Sequence, residues 1–436
     1  MIRIFRFVGE SKIMKKRMSF FIQLVFIVIL TISLFAYAMF QGGFTSWFLF
    51  YSFLPILLYQ ILFLIYPLRF WKVSRRLSNQ TSRAGESITV EITFKRRFPF
   101  PLFFCVIEEV IPNSLQWFDS GVEKYVLMER PEKLKGNRKP KMLLFPLFKR
   151  TIRATYELEQ LPRGRHHLEK IRIRTSDLFG FTHKEHHFSV HHSLLVFPNK
   201  REILWTNAAP LLENGQINSH QRGHHQSNIA TEIREYLPGD KLSWIDWKQS
   251  AKKQKVMTKE FEQEKNMDIS IILDACTSKN MLAFEGAVEI SLSLIDTFLE
   301  KGETNVDFLS IGKETLRFSL HRNHHQIGDV YQYLASVQLE KEEKYSFLEI
   351  LQKNIFSISK QRIIFFVLRN IHLNDIEVWK KFKGHFKQAY VFLILPEKER
   401  TKEVQDIIQI LSIQHVRVYV VTEQTLMKRK ALEVGI

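Results

Sequence analysis

Residues 20–40 and 47–67 contain no charged side chain, and only the stretch QGGFTS separates them. Each run is about 21 residues long, enough for a helix to cross a hydrocarbon layer roughly 30 Å thick while satisfying its own backbone hydrogen bonds. The pair reads as a transmembrane helical hairpin over 20–67, and the rest of the chain must fold as something tethered to it. Pro55 predicts a kink in the second helix rather than its end. A cleaved signal peptide competes for the first run, since Lys12, Lys15, Lys16 and Arg17 precede it and Ala36-Tyr37-Ala38 has the small-x-small form of a cleavage site. That run is too long for a signal core of roughly 7–15 residues, and a second one follows at once. Arg3 and Arg6 also lie before the first run, while Arg69, Lys72, Arg75 and Arg76 follow the second and the connecting loop carries no positive charge. By the positive-inside rule a two-span cell-membrane protein is expected, with both termini, including the basic segment 1–19, in the cytoplasm.

At 436 residues the chain exceeds one ordinary core, so two or three domains are expected. A formal net charge of +18 would suggest nucleic acid in a soluble protein. Here about ten of the positive charges flank the apolar runs, where anionic head groups would meet them. No nucleic-acid-binding module accompanies the rest, so the expected partner of this charge is the lipid bilayer and not nucleic acid. Cys105 and Cys276 are the only cysteines and lack CxxC spacing, which excludes a zinc ribbon or a disulfide framework and fits a reducing compartment.

Between 73 and 199 short apolar runs rich in β-branched and aromatic residues alternate with turn residues, as at 87–94, 103–110, 153–158, 167–174 and 193–197. Ile88, Val90, Ile92 and Phe94 fall on one side of such a strand, and an antiparallel β-sandwich-like domain is the expected result. Gly164 after Pro162, and Asp177 with Gly180, read as turns. His166, His167, His183, His186, His187, His191 and His192 cluster here, but adjacent strand residues point to opposite faces and no cysteine or carboxylate partner sits among them, so a solvated face is expected rather than a metal site.

Residues 206–227, rich in Asn, Gln, Gly, Ser and His, read as a linker. The block 228–264 that follows is dense in charged and aromatic side chains. Pro238-Gly239-Asp240 is a turn signal, bracketed by Arg234 and Tyr236 on one side and by Trp244, Asp246, Trp247 and Lys248 on the other. Ser250-Ala251, then Lys252, Lys253 and Lys255, then Glu260-Phe261-Glu262 complete it. Arg, Tyr and Trp are the residues most enriched at binding hot spots, which makes the block a candidate partner-recognition surface. It can also be an internal interdomain clamp in which Arg234 or Lys248 pairs with Asp240 or Asp246. Two indoles this close are more readily buried than left in water, which favours the clamp, and the two roles are compatible. Glu232, Glu235, Asp240, Asp246, Glu260 and Glu262 offer carboxylates for acid-base chemistry, but with no nucleophile-base pair and no phosphate-binding glycine loop, no catalytic residue is assigned.

From 267 to 436 continuous apolar runs alternate with helical patterns. Strands are expected at 268–273, 305–311, 315–320, 362–368, 389–395 and 416–421, and a helix at 282–300, where Ala287, Ile290, Leu294 and Phe298 recur at helical spacing. Such alternation predicts a doubly wound α/β domain whose mainly parallel sheet is covered on both faces, with any ligand beyond the carboxyl ends of the strands.

The Glu-x-Arg-x-Tyr-x-x-Gly-Asp stretch at 232–240, Ile245-Asp246-Trp247 and Ser250-Ala251 at this spacing resemble the bacterial domain of unknown function 58 family, and the apolar strand running out at Asp274 resembles the opening of a von Willebrand factor A-like (vWA-like, Rossmann-like) domain. Family members often carry Arg where this chain has Ser243, Trp244 and Lys252, so a basic row that recognised a partner would be weakened here. The vWA-like resemblance implies a Mg²⁺ or Mn²⁺ site built on Asp-x-Ser-x-Ser, a distant Thr and an Asp after a later strand. This chain offers a degenerate set, Asp274, Cys276 and Ser278, in which a soft sulfur replaces a hard oxygen. Arg369 and Asn370 stand where the later Asp would be, and Asp375 is offset toward the next helix. No cofactor is therefore expected, and Asp274 is expected to cap a turn.

The resemblance implies a membrane protein with two cytoplasmic domains, often associated with MoxR-type AAA+ ATPases and with transglutaminase-like membrane proteins. The expected function is a membrane-anchored, non-enzymatic adaptor or scaffold that docks a MoxR-type ATPase. The alternative is a metal-dependent hydrolase or nuclease using the carboxylates of 232–262, and a further one is lipid or nucleic-acid binding through the basic surface.

Overall fold

The computed structural model describes residues 2–180, 182–205, 230–237, 242–261, 267–276, 280–300, 304–312, 314–320, 325–339, 347–354, 362–382, 386, 388–414, 416–428 and 432–434. The chain divides into two compact units, Met1–Asp119 with Lys135–Val196, and Ser120–Leu134 with Phe197–Ile436.

The first unit begins with α1 (Ile2–Gln41) and α2 (Phe44–Ile65), which contain apolar stretches at Phe21–Gln41 and Phe44–Ile65 long enough to cross a membrane. Most of their large apolar side chains face outward, with Phe21 64% and Ile29 60% exposed, unlike a helix buried in a soluble core. The turn between them relies on Gly42, whose φ of +57° suits glycine. Pro55 lies inside α2 without ending it. At the far end of α2, Lys184 donates to the carbonyls of Leu64 (2.8 Å) and Tyr66 (2.6 Å), satisfying acceptors that a helix terminus leaves open. Tyr66 donates to the Phe98 carbonyl at 2.9 Å and stacks on Phe100 at 5.0 Å, so the helix is joined firmly to the strands that follow.

Those strands are β1 (Lys72–Leu77), β2 (Thr81–Arg83), β3 (Ile88–Lys95), β4 (Phe104–Val110), β5 (Lys141–Leu144), β6 (Thr151–Leu158), β7 (Gly164–Ser176) and β8 (His183–Phe197). They form a three-stranded sheet in the order β1-β3-β6 and a five-stranded sheet in the order β2-β8-β7-β4-β5. Val90, Ile92 and Phe94 of the first sheet and Ile107, Ile171 and Leu194 of the second share one apolar core, with the alternation expected for β3. An ion pair is sealed in this unit: Arg75 on β1 pairs with Glu109 on β4, both side chains fully buried, and Tyr156 donates to the same carboxylate at 3.0 Å. Arg75 also donates to the carbonyls of Leu168 (2.9 Å) and Val190 (2.8 Å), beside the point where the β7–β8 register shifts. A bulge leaves ladder groups without strand partners, and the guanidinium supplies donors there. The Asp177 turn forms as expected, with Gly180 at φ +74° and Asp177 accepting from the Thr182 amide at 2.8 Å.

The second unit contains β9 (Ile203–Trp205), β10 (Ala230–Glu235), α3 (Trp247–Lys253), β11 (Met257–Phe261), β12 (Met267–Asp274), α4 (Met281–Glu300), β13 (Thr304–Ile311) and β14 (Thr315–Leu320). It continues with α5 (His325–Ser336), α6 (Phe347–Asn354), β15 (Ile363–Leu368), α7 (Ile376–Phe382), β16 (Gln388–Ile394), α8 (Lys402–Ile413), β17 (Val416–Val421), α9 (Glu423–Met427) and β18 (Leu432–Val434). Its main sheet runs β14-β13-β12-β15-β16-β17, parallel except for β14 at one edge. Successive side chains enter different cores: Ile271, Leu273, Phe365 and Val367 pack with α4, whereas Ile272, Ile364 and Phe366 pack with Trp379, Ile407 and Leu411. Burial on both faces explains why these strands are apolar without alternation. The short pairs β10–β11 and β9–β18 are separate two-stranded sheets.

Segment 120–134, which the expected 73–199 domain contains, belongs instead to the second unit, as turns at Gly121–Leu127 and Pro131–Leu134. Inside that unit Lys124 pairs with Glu289 on α4 at 2.7 Å, and Arg201 pairs with the other oxygen of the same carboxylate at 3.0 Å. The Arg201 guanidinium lies 5.1 Å from the centre of the Tyr125 ring and donates to the Leu426 carbonyl at 2.6 Å.

Candidate functional site

Two places draw together the residues singled out by sequence: the carboxyl edge of the main sheet, and the connection between β10 and β11.

The main sheet reverses its winding between β12 and β15, since the chain builds outward to β13 on one side and to β15, β16 and β17 on the other. Ligands of open α/β sheets bind at such a switch point. Asp274 ends β12 there, and its Oδ1 accepts from the Cys276 amide at 3.0 Å, the turn cap expected from the sequence. The neighbouring strand β15 runs directly into Arg369, which is 2% exposed. Its Nη2 lies 3.4 Å from Asp274 Oδ1 and donates to the Cys276 carbonyl at 2.5 Å, and its guanidinium carbon lies 5.1 Å from the centre of the Phe284 ring. Cys276 directs its thiol to the Ile311 carbonyl at 3.5 Å. Ser278 lies outside the described residues. Asp375 accepts from the His372 amide at 2.7 Å in the turn that leads into α7, away from Asp274 in role as its spacing implied. These residues do not fit a divalent cation: the carboxylate that would bind it already faces a fixed cationic group, and the second position supplies sulfur. Among the described residues no three His, Cys, Asp or Glu side chains are grouped so as to hold a metal ion. In the first unit His166 is buried, its ring nitrogens 2.9 Å from Ser114 Oγ and 2.8 Å from the Pro162 carbonyl, and burial pushes its pKa down to about 4.

The β10–β11 hairpin is built from local hydrogen bonds. Asp246 caps α3 by accepting from the Gln249 amide at 3.1 Å, and its own amide donates to the Met257 carbonyl at 2.9 Å. Ser250 donates to the Asp246 carbonyl at 2.7 Å and accepts from the Met257 amide at 2.8 Å, so one hydroxyl ties the helix to β11. The helix ends at Gln254 in the left-handed conformation. Tyr236 donates its amide to the Val256 carbonyl at 2.8 Å, and Arg234 on β10 donates to the Glu235 carbonyl at 3.2 Å. Asp246 lies 3.8 Å from Lys259, and Lys255, 2.7 Å from Glu235, holds that exposed carboxyl below its usual range.

The Asp246 carboxylate is used locally, as the helix cap and toward Lys259. Gly239 and Asp240 lie outside the described residues, as does Glu262. Trp244 is half-buried, but Trp247 is 70% exposed and Leu242 73%, and Lys248, Lys252 and Lys253 are exposed as well. A buried cluster of ion pair and aromatic ring lies elsewhere in the second unit, at Lys124, Tyr125, Arg201 and Glu289. The sequence signal that could have located it is the spacing of Tyr125 and Met128, two apolar side chains one helical turn apart inside a region otherwise patterned for strands.

Residues 232–328 match the family described as "Protein of unknown function DUF58". The chain is 34% identical over 313 residues to "Uncharacterized protein YeaD" of Bacillus subtilis (strain 168), covering 72% of this chain and 74% of that protein. Among solved structures it has an 11% identical likeness to the alkylpurine DNA glycosylase AlkC of Pseudomonas fluorescens, with a TM-score of 0.14 over 30% of this chain and 33% of that one. Cwp6 of Clostridium difficile gives 9% identity and a TM-score of 0.15 over 81% of this chain and 53% of that one. Scores this low carry no argument about fold or function. The match across most of the Bacillus subtilis protein, with the family match, shows that the chain belongs to the domain of unknown function 58 family.

Proposed function

We propose that the protein is a membrane-anchored, non-enzymatic adaptor or scaffold facing the cytoplasm, that the β10–β11 connection is its docking face, and that its partner is a MoxR-type AAA+ ATPase. The observation that carries the reading is the exposure, within one short connection, of Leu237, Leu242, Trp247 and Val256 beside the exposed Lys248, Lys252, Lys253 and Lys255. Exposed apolar side chains gathered in one place mark interaction sites, and a central Trp with a charged rim is the composition of an interface hot spot. Asp246 and Ser250 hold that face in shape without contributing to it chemically. Anchoring is supported by the two outward-facing apolar helices, and the cytoplasmic orientation by the positive charges on both sides of them.

The test is purification of the full chain from its own cells in detergent, with and without ATP and Mg²⁺, followed by mass spectrometry of what co-elutes. A nucleotide-sensitive AAA+ ATPase is expected with the wild type, and the double variant Leu242→Ala, Trp247→Ala should retain at least about tenfold less of it, two lost hot-spot contacts being worth more than 1.4 kcal/mol. Equal recovery with both proteins would remove the docking face from this reading, and no ATPase with either would remove the partner.

A further inference from the structure

At the end of α2 where the chain leaves its apolar helices, a cleft of about 310 Å³ opens between Leu64, Leu68, Arg69, His183, Lys184 and His186. Its position within the first unit gives it two kinds of wall. Leu64 and Leu68, 3% and 5% exposed, form its apolar floor, Gln23 of α1 lines the same space, and the exposed Ile65 and Phe70 flank it in sequence at the end of the helices that the bilayer would surround. The other side is basic. The Arg69 guanidinium is exposed and lies 4.7 Å from the centre of the Phe70 ring, itself half-exposed, an aromatic and cationic pairing suited to the boundary between hydrocarbon and water. The Lys184 ammonium is fixed at the mouth by the Leu64 and Tyr66 carbonyls, which localises a positive charge there. Glu185, the acidic group in the same lining, is engaged by Arg172 and Arg174 of β7, each at 3.2 Å, which also face Glu108, and by the His187 ring at 2.9 Å, so its carboxylate is turned toward those partners.

We propose that this cleft binds the phosphate head group of an anionic phospholipid of the leaflet on that side, with Arg69 as its principal contact and the exposed Phe70 ring beside it against the first acyl carbons. The charge is complementary, the guanidinium fork matches a phosphate, and the exposed apolar side chains Ile65 and Phe70 are what separate a lipid from free phosphate. This rests on the reading of α1 and α2 as membrane spans.

The experiment uses the full chain in nanodiscs of phosphatidylcholine containing a minor fraction of phosphatidylglycerol, followed by extraction and native mass spectrometry of the lipid that stays bound. Wild type should retain phosphatidylglycerol in excess of its share in the disc, Arg69→Gln should lose about fivefold of that enrichment, the effect of one basic residue at a membrane surface, and Arg69→Lys should keep most of it. Retention in proportion to disc composition, the same enrichment in Arg69→Gln, or equal thermal stabilisation by inorganic phosphate in pure phosphatidylcholine discs would each overturn the proposal. Co-migration of protein with phosphatidylcholine discs tests the spans separately: protein that enters them without enrichment sinks the lipid site alone, whereas protein that fails to enter sinks both.

Discussion

Lys124, Tyr125, Arg201 and Glu289 are drawn from the same chemical vocabulary as Arg234, Trp244, Asp246 and Trp247, yet the first set is sealed inside the second unit, whereas Arg234, Trp244 and Asp246 are only half-buried and Trp247 stands in solvent. The difference lies in where the members come from. The buried set is assembled from three separate segments, a turn at 121–127, the approach to β9, and the middle of α4. The second set comes from one stretch, and a single hairpin with a seven-residue helix cannot fully enclose its own charges. Density of charge and aromatics along a sequence is therefore poor evidence for density in space. Convergence of distant segments is what takes charged groups out of water, and it does so only where the charges balance.

The largest test of that contrast is Glu289→Ala. It leaves Lys124 and Arg201 buried with their shared carboxylate gone, and the expected cost is about 3–5 kcal/mol of unfolding free energy, read from denaturant titration of the full chain in detergent. A loss below about 1 kcal/mol would mean that water reaches these groups and that the contrast in burial has no energetic content.

The histidines divide in the same way, and pH reads the division. His166 is buried with a pKa near 4, whereas His183, His187 and His191 are exposed. Because the folded value lies below the ordinary one of about 6.5, the unfolded chain binds the extra proton first as pH falls. Stability associated with His166 is thus complete above pH 6.5 and is lost on descending toward 4, by about 2–3 kcal/mol between pH 7 and pH 4.5. Comparing denaturant midpoints of wild type and His166→Gln at the two pH values isolates it; equal pH dependence in both proteins would show that the imidazole is not protected from protonation. Next in size is Asp274→Asn, which keeps the shape at the switch point but removes the charge facing Arg369, for an expected loss of about 2 kcal/mol. Saturating Mg²⁺ should leave the wild-type melting temperature unchanged, and a rise of several degrees would mean that the cation displaces the guanidinium.

Much of the scaffold was legible because period alone encodes it. The six strands of the main sheet and α4 fall within a residue or two of where unbroken apolar runs and helical spacing put them, and β3 buries Ile88, Val90, Ile92 and Phe94 as its alternation requires. The Asp274 turn and the Arg369 beside it were also readable, since both sit at strand ends whose location follows from the same runs. What could not be read are partnerships between segments far apart in sequence. Arg75 looks like one more juxtamembrane cation, yet it lies in the core of the first unit opposite Glu109; Lys184 looks like one charge in a histidine-rich strand, yet it caps α2. Segment 120–134 is flanked in sequence by strands of the first unit, whereas its contacts belong to the second. Trp247 itself stands 70% exposed, because the low cost of burying an indole says nothing about whether other segments are near enough to cover it.

Trp247→Ala is the smallest of these effects on stability and the one that most sharpens the contrast. The side chain starts α3 on its solvent side, while the bonds that shape the hairpin run through Asp246, Ser250, Met257 and Tyr236. Removing the indole should therefore change unfolding free energy by no more than about 0.5 kcal/mol, as for other surface substitutions away from caps and cores. Asp246→Ala, one residue earlier, should cost about 1 kcal/mol because it removes the cap. If the order were reversed, the exposed face would be a packing surface covered in the folded protein, and the docking role would lose its main support. If it holds, and partner recovery falls with Trp247→Ala but survives Asp246→Ala in proportion to folded protein, then the hairpin separates into a side that holds its shape and a side that meets a partner.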